Sequence, residues 1–145
     1  MDTIEYCIVK TAPTDDIVAL YRAGGWWKES QAARDAIPPM IRGSFRFILA
    51  RDASGRAVGM GRAISDGASD AYIQDLVVLP EYRGRGIGNE IVRRLVQECR
   101  KAQITWIGVI AEPGTSQFYR PLGFEPMPDY TPMLFRWVAD EPPLK

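Results

Sequence analysis

Three glycines at alternate positions stand in the stretch Tyr82-Arg83-Gly84-Arg85-Gly86-Ile87-Gly88, a spacing that lets a backbone wrap an anion. Glycine accepts positive φ without steric penalty, so successive N–H groups can converge on one small volume. The stretch follows an apolar run, Tyr72 to Leu79, and precedes an amphipathic one, Asn89 to Lys101, so it leads from a strand into a helix. The unpaired N–H groups of that helix's first turn and its dipole add to the same attraction. A phosphate or pyrophosphate suits such a loop.

Two familiar phosphate loops fit poorly. A P-loop needs Lys and then Ser or Thr after its last glycine, and here Gly88 is followed by Asn89 and Glu90. A dinucleotide fingerprint needs G-x-G-x-x-G early in a repeated βαβ pattern, whereas this loop reads G-x-G-x-G late in a short chain. What it does contain is R-x-x-G-x-G, Arg83 through Gly88, directly after Val77-Val78-Leu79-Pro80. Farther on, Gln117-Phe118-Tyr119-Arg120-Pro121-Leu122-Gly123-Phe124 contains F-Y-x-x-x-G-F. A glycine-rich stretch alone is also compatible with a plain turn, but the two stretches in this order are far more specific. Together they resemble the acyl-CoA pyrophosphate loop and the later signature of the GNAT superfamily of N-acyltransferases.

Composition narrows the chemistry further. At 145 residues and 46% hydrophobic content, the chain has the size of one domain with its own core, here 1–145. Eighteen basic and eighteen acidic residues cancel, so no global field draws nucleic acid or an anionic membrane. No apolar run approaches a membrane span and Met1-Asp2-Thr3-Ile4-Glu5 lacks the look of a signal peptide, which together lead us to expect a cytoplasmic protein. Histidine is absent, which removes a His base, a Ser-His-Asp triad and His-based metal sites. Cys7 and Cys99 make neither a disulfide framework nor a metal-ligand spacing, and are expected as reduced core residues.

The elements that must position the loop follow from periodicity. Glu5 to Lys10 alternates as a strand suited to a sheet edge. Thr14 as N-cap, Asp15 and Asp16 in a first turn, and Ile17, Leu20 and Tyr21 at helical spacing predict a short helix stopped by Gly24-Gly25. Ser30 to Ile37 predicts a second helix, ended by Pro38-Pro39. Phe45 to Asp52 and Ala57 to Ser65, around Ala53-Ser54-Gly55, predict a hairpin in which Gly59 and Gly61 either weaken the second strand or mark close packing. Tyr72 to Leu79 reads as a central strand buried on both faces.

In the next helix Ile87, Ile91, Leu95 and Cys99 fall on one line, and Thr105 to Ala111 returns as a parallel strand after a right-handed crossover. Pro113-Gly114-Thr115 opens a last helix that Gly123 ends, and Phe124 to Met127 with Met133 to Val138 suggests a final hairpin. This order is the one the resemblance implies: an α+β fold with a central mixed, mostly antiparallel sheet, a splayed parallel strand pair and flanking helices. Specific motifs occupy residues 72 to 124, and the first seventy residues match by element order alone.

The resemblance also implies roles. Parallel strands splaying around Val77 and Ile107 would free backbone groups of Leu76 and Val78, so that Leu76, Val77 and Val78 line the pantetheine arm of acetyl-CoA and the Leu76 N–H polarises the thioester. The amides of Arg83, Gly84, Arg85, Gly86, Ile87 and Gly88 would hold the pyrophosphate. The side chains of Arg83 and Arg85 either add charge there or are ordinary solvated arginines. Tyr119 matches the tyrosine that protonates the departing thiolate, with a packing role as its alternative. Of the polar residues Tyr72, Gln74 and Asp75 on this strand, Asp75 is the one carboxylate, and it is either a general base or a structural hydrogen-bond acceptor, with water or bulk solvent as the other taker of the proton. Trp26, Trp27 and Tyr72 would wall the acceptor site, or the tryptophans pack in the core. Where many members of the family carry Asn and Ala around the start of the last helix, this chain has Glu112 and Thr115, which leaves the usual cofactor contact there open.

The implied activity is acetyl transfer from acetyl-CoA to a primary amine of a small molecule or peptide, without a metal. A silent acyl-CoA-binding module, or an enzyme acetylating protein lysines or N-termini, are the alternatives. Neither nucleic acid nor membrane is expected as a partner, and the reading admits a homodimer.

Overall fold

The computed structural model describes residues 3–137. Its element order is β1 (Glu5–Ile8), α1 (Thr14–Ala23), α2 (Gln31–Gly43), β2 (Arg46–Arg51), β3 (Ala57–Ser65), β4 (Asp70–Val78), α3 (Ile87–Lys101), β5 (Trp106–Val109) and α4 (Ser116–Tyr119), with single 3₁₀ turns at Pro80–Tyr82 and Arg120–Leu122. The five strands lie in chain order in one sheet. β1 to β4 pair antiparallel, and β4 pairs parallel with β5 through the α3 crossover. This is the mixed sheet expected of the fold class, and β1 is an edge strand as its alternation predicts.

Glycines on β3 set how closely α3 approaches. A Cβ at Gly61 would stand 2.8 Å from Ile91 Cγ2, and one at Gly59 would stand 3.3 Å from Ile87 Cγ2. Close packing is therefore their role. Ile87, Ile91, Leu95 and Cys99, at i, i+4 spacing, are all buried on this face. Arg62 alternates to the other face of β3 and there meets α1 through Tyr21 and Asp75. Cys99 is buried and Cys7 only half so, and both are free thiols.

Several boundaries differ from the sequence reading. α1 is preceded by Pro13, whose carbonyl accepts from the N–H groups of Asp16 and Ile17, and Thr14 is its first residue instead of a cap. α2 does not stop at Pro38-Pro39 but runs on to Gly43. Its Ser30 cap accepts from the Ala33 N–H, while Ile37 and Ile41, one turn apart, are both buried. Burial of that apolar pair outweighs the backbone hydrogen bonds the prolines forgo.

β4 is not buried on both faces, because Gln74, Asp75, Leu76 and Val78 border an open space. Residues 124–137 form no strand, so the final hairpin is absent from the described residues; Val138 lies outside them. Pro128 and Pro132 interrupt the segment, and Met133 and Leu134 are 89% and 90% exposed. Strand propensity is realised only against a partner edge, and this segment packs on none.

Candidate active site

A cavity of about 950 Å³ opens where the parallel pair comes apart. β4 and β5 pair from Asp70 with Trp106 to Ile73 with Val109, and no farther. The strands thus part after Ile73 and Val109; Ile107, expected at the splay, is still paired with Ala71. From Gln74 to Val78 the outer edge of β4 faces the cavity, which the Ala23–Lys28 loop and the segment from Val109 to Tyr119 enclose.

A bulge in β4 adds to the opening. Arg62 pairs with Gln74 and Met60 with Val77, so Asp75 and Leu76 together oppose the single residue Gly61. Asp75 adopts φ 57° to make it. Leu79 N–H donates to Val58 O, toward β3. By the two-residue period of a strand, Val77 points the same way, while the N–H of Val78 turns outward to the cavity; Leu76 belongs to the bulge, where that period is interrupted. The Val78 carbonyl is already taken by Arg83 Nε at 2.9 Å.

The glycine loop sits at the carboxyl end of β4. Gly84 and Gly86 have φ of 75° and 79°, and a Cβ on either would point into open space with nothing within 4 Å. Gly86 is the N-cap of α3, so the first-turn N–H groups have no partner within the helix. Those N–H groups and the open space beside the two glycines fit an anion the size of a pyrophosphate. Gly88 lets Phe118 of α4 approach, with 3.4 Å between its Cβ position and Phe118 Cζ. Tyr82 at the loop's start donates to Asp52 Oδ2 at 2.7 Å, fastening the loop to the β2–β3 turn.

The loop's arginines are tied to the framework. Besides Val78 O, Arg83 reaches Ala23 O at 3.3 Å, and Arg85 reaches Glu81 O at 3.1 Å with its guanidinium over the Tyr82 ring. Leu76, Val77, Val78, Arg83 and Gly88 line the cavity, whereas Gly84, Arg85, Gly86 and Ile87 lie beyond its wall around the helix start. Ile87 buries its side chain against β3, leaving only its backbone for a ligand.

Asp75 is committed to a buried network. Its Oδ2 accepts from Arg62 Nε at 2.7 Å and from Tyr21 Oη at 2.6 Å, and its side chain is 7% exposed. That geometry is a structural acceptor's: the carboxylate is neutralised by Arg62 and held by the phenol. Burial, then the Asp75 charge, push the Tyr21 phenol well above its ordinary value, so it stays a donor.

Tyr119 lines the cavity from α4, half-buried, with the rings of Phe118 and Phe124 edge-on at 4.9 and 5.7 Å. Burial, and after it the charge of Glu112, raise its phenol above the ordinary value and keep it protonated. Trp26 and Tyr72 also line the cavity. Trp27 does not: it packs beside Tyr21 with Arg34 over its ring, while Trp26 meets the same Tyr21 edge-on from the cavity side.

Glu112 lines the cavity too, a placement the sequence marked only as a departure from pattern. Its Oε1 accepts from Trp26 Nε1 at 2.8 Å, joining two loops across the cavity mouth. Its position just past the carboxyl end of β5 is the signal that could have found it, since ligands gather at such ends of parallel strands.

The comparisons agree with this geometry. The acetyltransferase (GNAT) domain model matches residues 43–126, from the end of α2 to Pro126. The chain is 40% identical over 82 residues to the uncharacterized N-acetyltransferase ycf52 of Pyropia yezoensis, covering 57% of this chain and 47% of that protein. It is 40% identical over 80 residues to the chloroplastic serotonin N-acetyltransferase 2 of Oryza sativa subsp. japonica, covering 55% of this chain and 40% of that one. The chain thus spans about half or less of the length of the curated relatives it matches. Among solved structures, a GNAT family acetyltransferase from Streptococcus pneumoniae superposes with a TM-score of 0.70 at 27% identity, over 97% of this chain and all of the other. With the parted strand pair, the glycine loop and the matched stretch all falling on the same residues, the chain belongs to the GNAT acetyltransferase family.

Proposed function

We propose that this chain transfers an acetyl group from acetyl-CoA to a primary amine of a small molecule. The observation that carries the reading is the opening of the β4–β5 pair beside the glycine loop, with Tyr119 on the same cavity. Acetyl-CoA supplies an acyl carbon activated as a thioester. The backbone N–H groups around Gly86 and Gly88 bind its pyrophosphate, and the N–H groups of Leu76 and Val78 align the pantetheine arm. The Leu76 N–H donates to the carbonyl oxygen as negative charge develops on it. The Tyr119 hydroxyl gives its proton to the departing thiolate, for which a phenol held protonated is suited. Trp26 and Tyr72 receive the apolar body of the amine.

That the rice relative is named a serotonin N-acetyltransferase supports an amine on an aromatic body as the acceptor class. The test is thiol release from acetyl-CoA across a panel of primary arylalkylamines, alkylamines and lysine peptides. Turnover confined to small amines is the expected result. Turnover confined to peptides moves the reading to a protein acetyltransferase, and tight acetyl-CoA binding with no turnover moves it to a silent acyl-CoA-binding module.

A further inference from the structure

We propose that Glu112 receives the acceptor's ammonium group and takes its first proton, which makes the acceptor a cationic arylalkylamine. The inference rests on the acetyl-transfer reading and adds to it the residue that selects the acceptor.

Among the described residues, two carboxylates line the cavity, Asp75 and Glu112. Asp75 is neutralised by Arg62 at 2.7 Å and is nearly buried. Glu112 is exposed, and its hydrogen bond comes from the neutral indole of Trp26. No described basic side chain forms an ion pair with it, although Lys28 and Arg83 also line the cavity. Arg83 is turned to the carbonyls of Val78 and Ala23. Lys28 makes no ion pair with a described residue. A carboxylate accepts at about four lone-pair positions, and the indole occupies one. The rest suit an ammonium, a donor of three N–H groups.

The neighbours suit the body that carries such an ammonium. The Trp26 ring folds back over Gly24, where a Cβ would stand 2.8 Å from it, and meets Tyr21 edge-on. That packing fixes the indole whose N–H orients Glu112. Tyr72, its ring tilted against that of Trp106, faces the same space. A flat apolar body beside Trp26 and Tyr72 would bring an attached amine to Glu112.

The proton account closes. Glu112 takes one proton from the ammonium, and the freed lone pair forms the C–N bond as the thioester carbonyl opens. The second nitrogen proton leaves to solvent. When the carbonyl re-forms, the C–S bond breaks and the thiolate takes the Tyr119 proton. The proton held by Glu112, passed through solvent, restores the phenol. One proton is released for each acetyl group transferred from a cationic amine.

The test compares wild type with Glu112→Gln on two acceptors of nearly the same shape, phenethylamine, which is cationic at neutral pH, and O-benzylhydroxylamine, which is not. Glutamine keeps an oxygen for the Trp26 indole, so the substitution removes charge and basicity alone. For phenethylamine, kcat/KM is expected to fall about 10²-fold, the scale of a lost proton acceptor. For O-benzylhydroxylamine the fall is expected to stay within about 3-fold, and acetyl-CoA affinity by calorimetry is expected to be unchanged. An equal fall for both acceptors, or no fall for phenethylamine, overturns the proposal. No thiol release by wild type with either acceptor overturns it as well. The acetyl-transfer reading is then judged apart from it, by acetyl-CoA binding and the wider amine panel.

Discussion

Asp75 Oδ2 lies 2.7 Å from Arg62 Nε at the bulge of β4, so the residue that distorts the strand is also the one that anchors it to β3. Tyr21 of α1 closes the network at 2.6 Å. Asp75→Asn leaves the Arg62 charge uncompensated in a buried place, and is expected to lower stability by about 3 kcal/mol in urea denaturation. A variant as stable as wild type but with kcat reduced 10²-fold or more would instead make Asp75 the general base.

Gly86→Asp places a side chain at φ 79° and a negative charge in the proposed pyrophosphate cradle. The strain alone costs about 1–2 kcal/mol. The rise in Tm that saturating CoA gives wild type is expected to vanish, because the ligand no longer distinguishes the folded chain. Gly55→Ala, at φ 87° in the β2–β3 turn, carries similar strain away from the loop and is expected to keep the rise. Loss of the CoA response in both variants would show that strain, and not the cradle, was responsible.

Tyr119→Phe removes one oxygen from a half-buried ring and is expected to leave the fold and acetyl-CoA affinity intact while kcat drops about 10²-fold. The pH dependence follows from the shift. The phenol is the reactive form, and burial followed by the Glu112 charge raise its pKa, so activity is retained above the ordinary tyrosine value of about 10. In Glu112→Gln one of the two causes is gone, and the alkaline limb is expected to move to lower pH. A limb at the same pH in wild type and Tyr119→Phe would assign it to another group.

Gly61→Ala puts a methyl group 2.8 Å from Ile91 Cγ2 and 3.3 Å from Leu95 Cδ1, both side-chain atoms on the buried face of α3. Overpacking of this kind costs about 1–3 kcal/mol. Ile91→Leu removes the branch at Cβ, so the double mutant is expected to recover part of the loss, with a coupling of about 1 kcal/mol in a double-mutant cycle. Strict additivity would show that α3 shifts as a body to absorb the methyl group.

Local physics wrote a large part of this protein legibly into its sequence. The glycines of 84–88 announce positive φ, and Gly84 and Gly86 adopt it. The i, i+4 line from Ile87 to Cys99 announces a buried helix face, and the tight turn at 53–55 announces the β2–β3 hairpin. Each of these depends on neighbours within a few residues in the chain, which is why periodicity and residue type suffice. Other features were decided by contacts between distant residues. Pro38 and Pro39 read as a stop, yet α2 passes through them because Ile37 and Ile41 are held in the core. Asp75 reads as one polar residue among three on its strand, and only the bulge and the approach of Arg62 and Tyr21 make it a buried ion-pair partner. Trp26 and Trp27 are indistinguishable as neighbours in the sequence, and both rings reach Tyr21 in the fold, yet of the two it is Trp26 that also lines the cavity. Glu112 gains its meaning from Trp26, 86 positions earlier, because a hydrogen bond between two loops exists only once the sheet has brought them together.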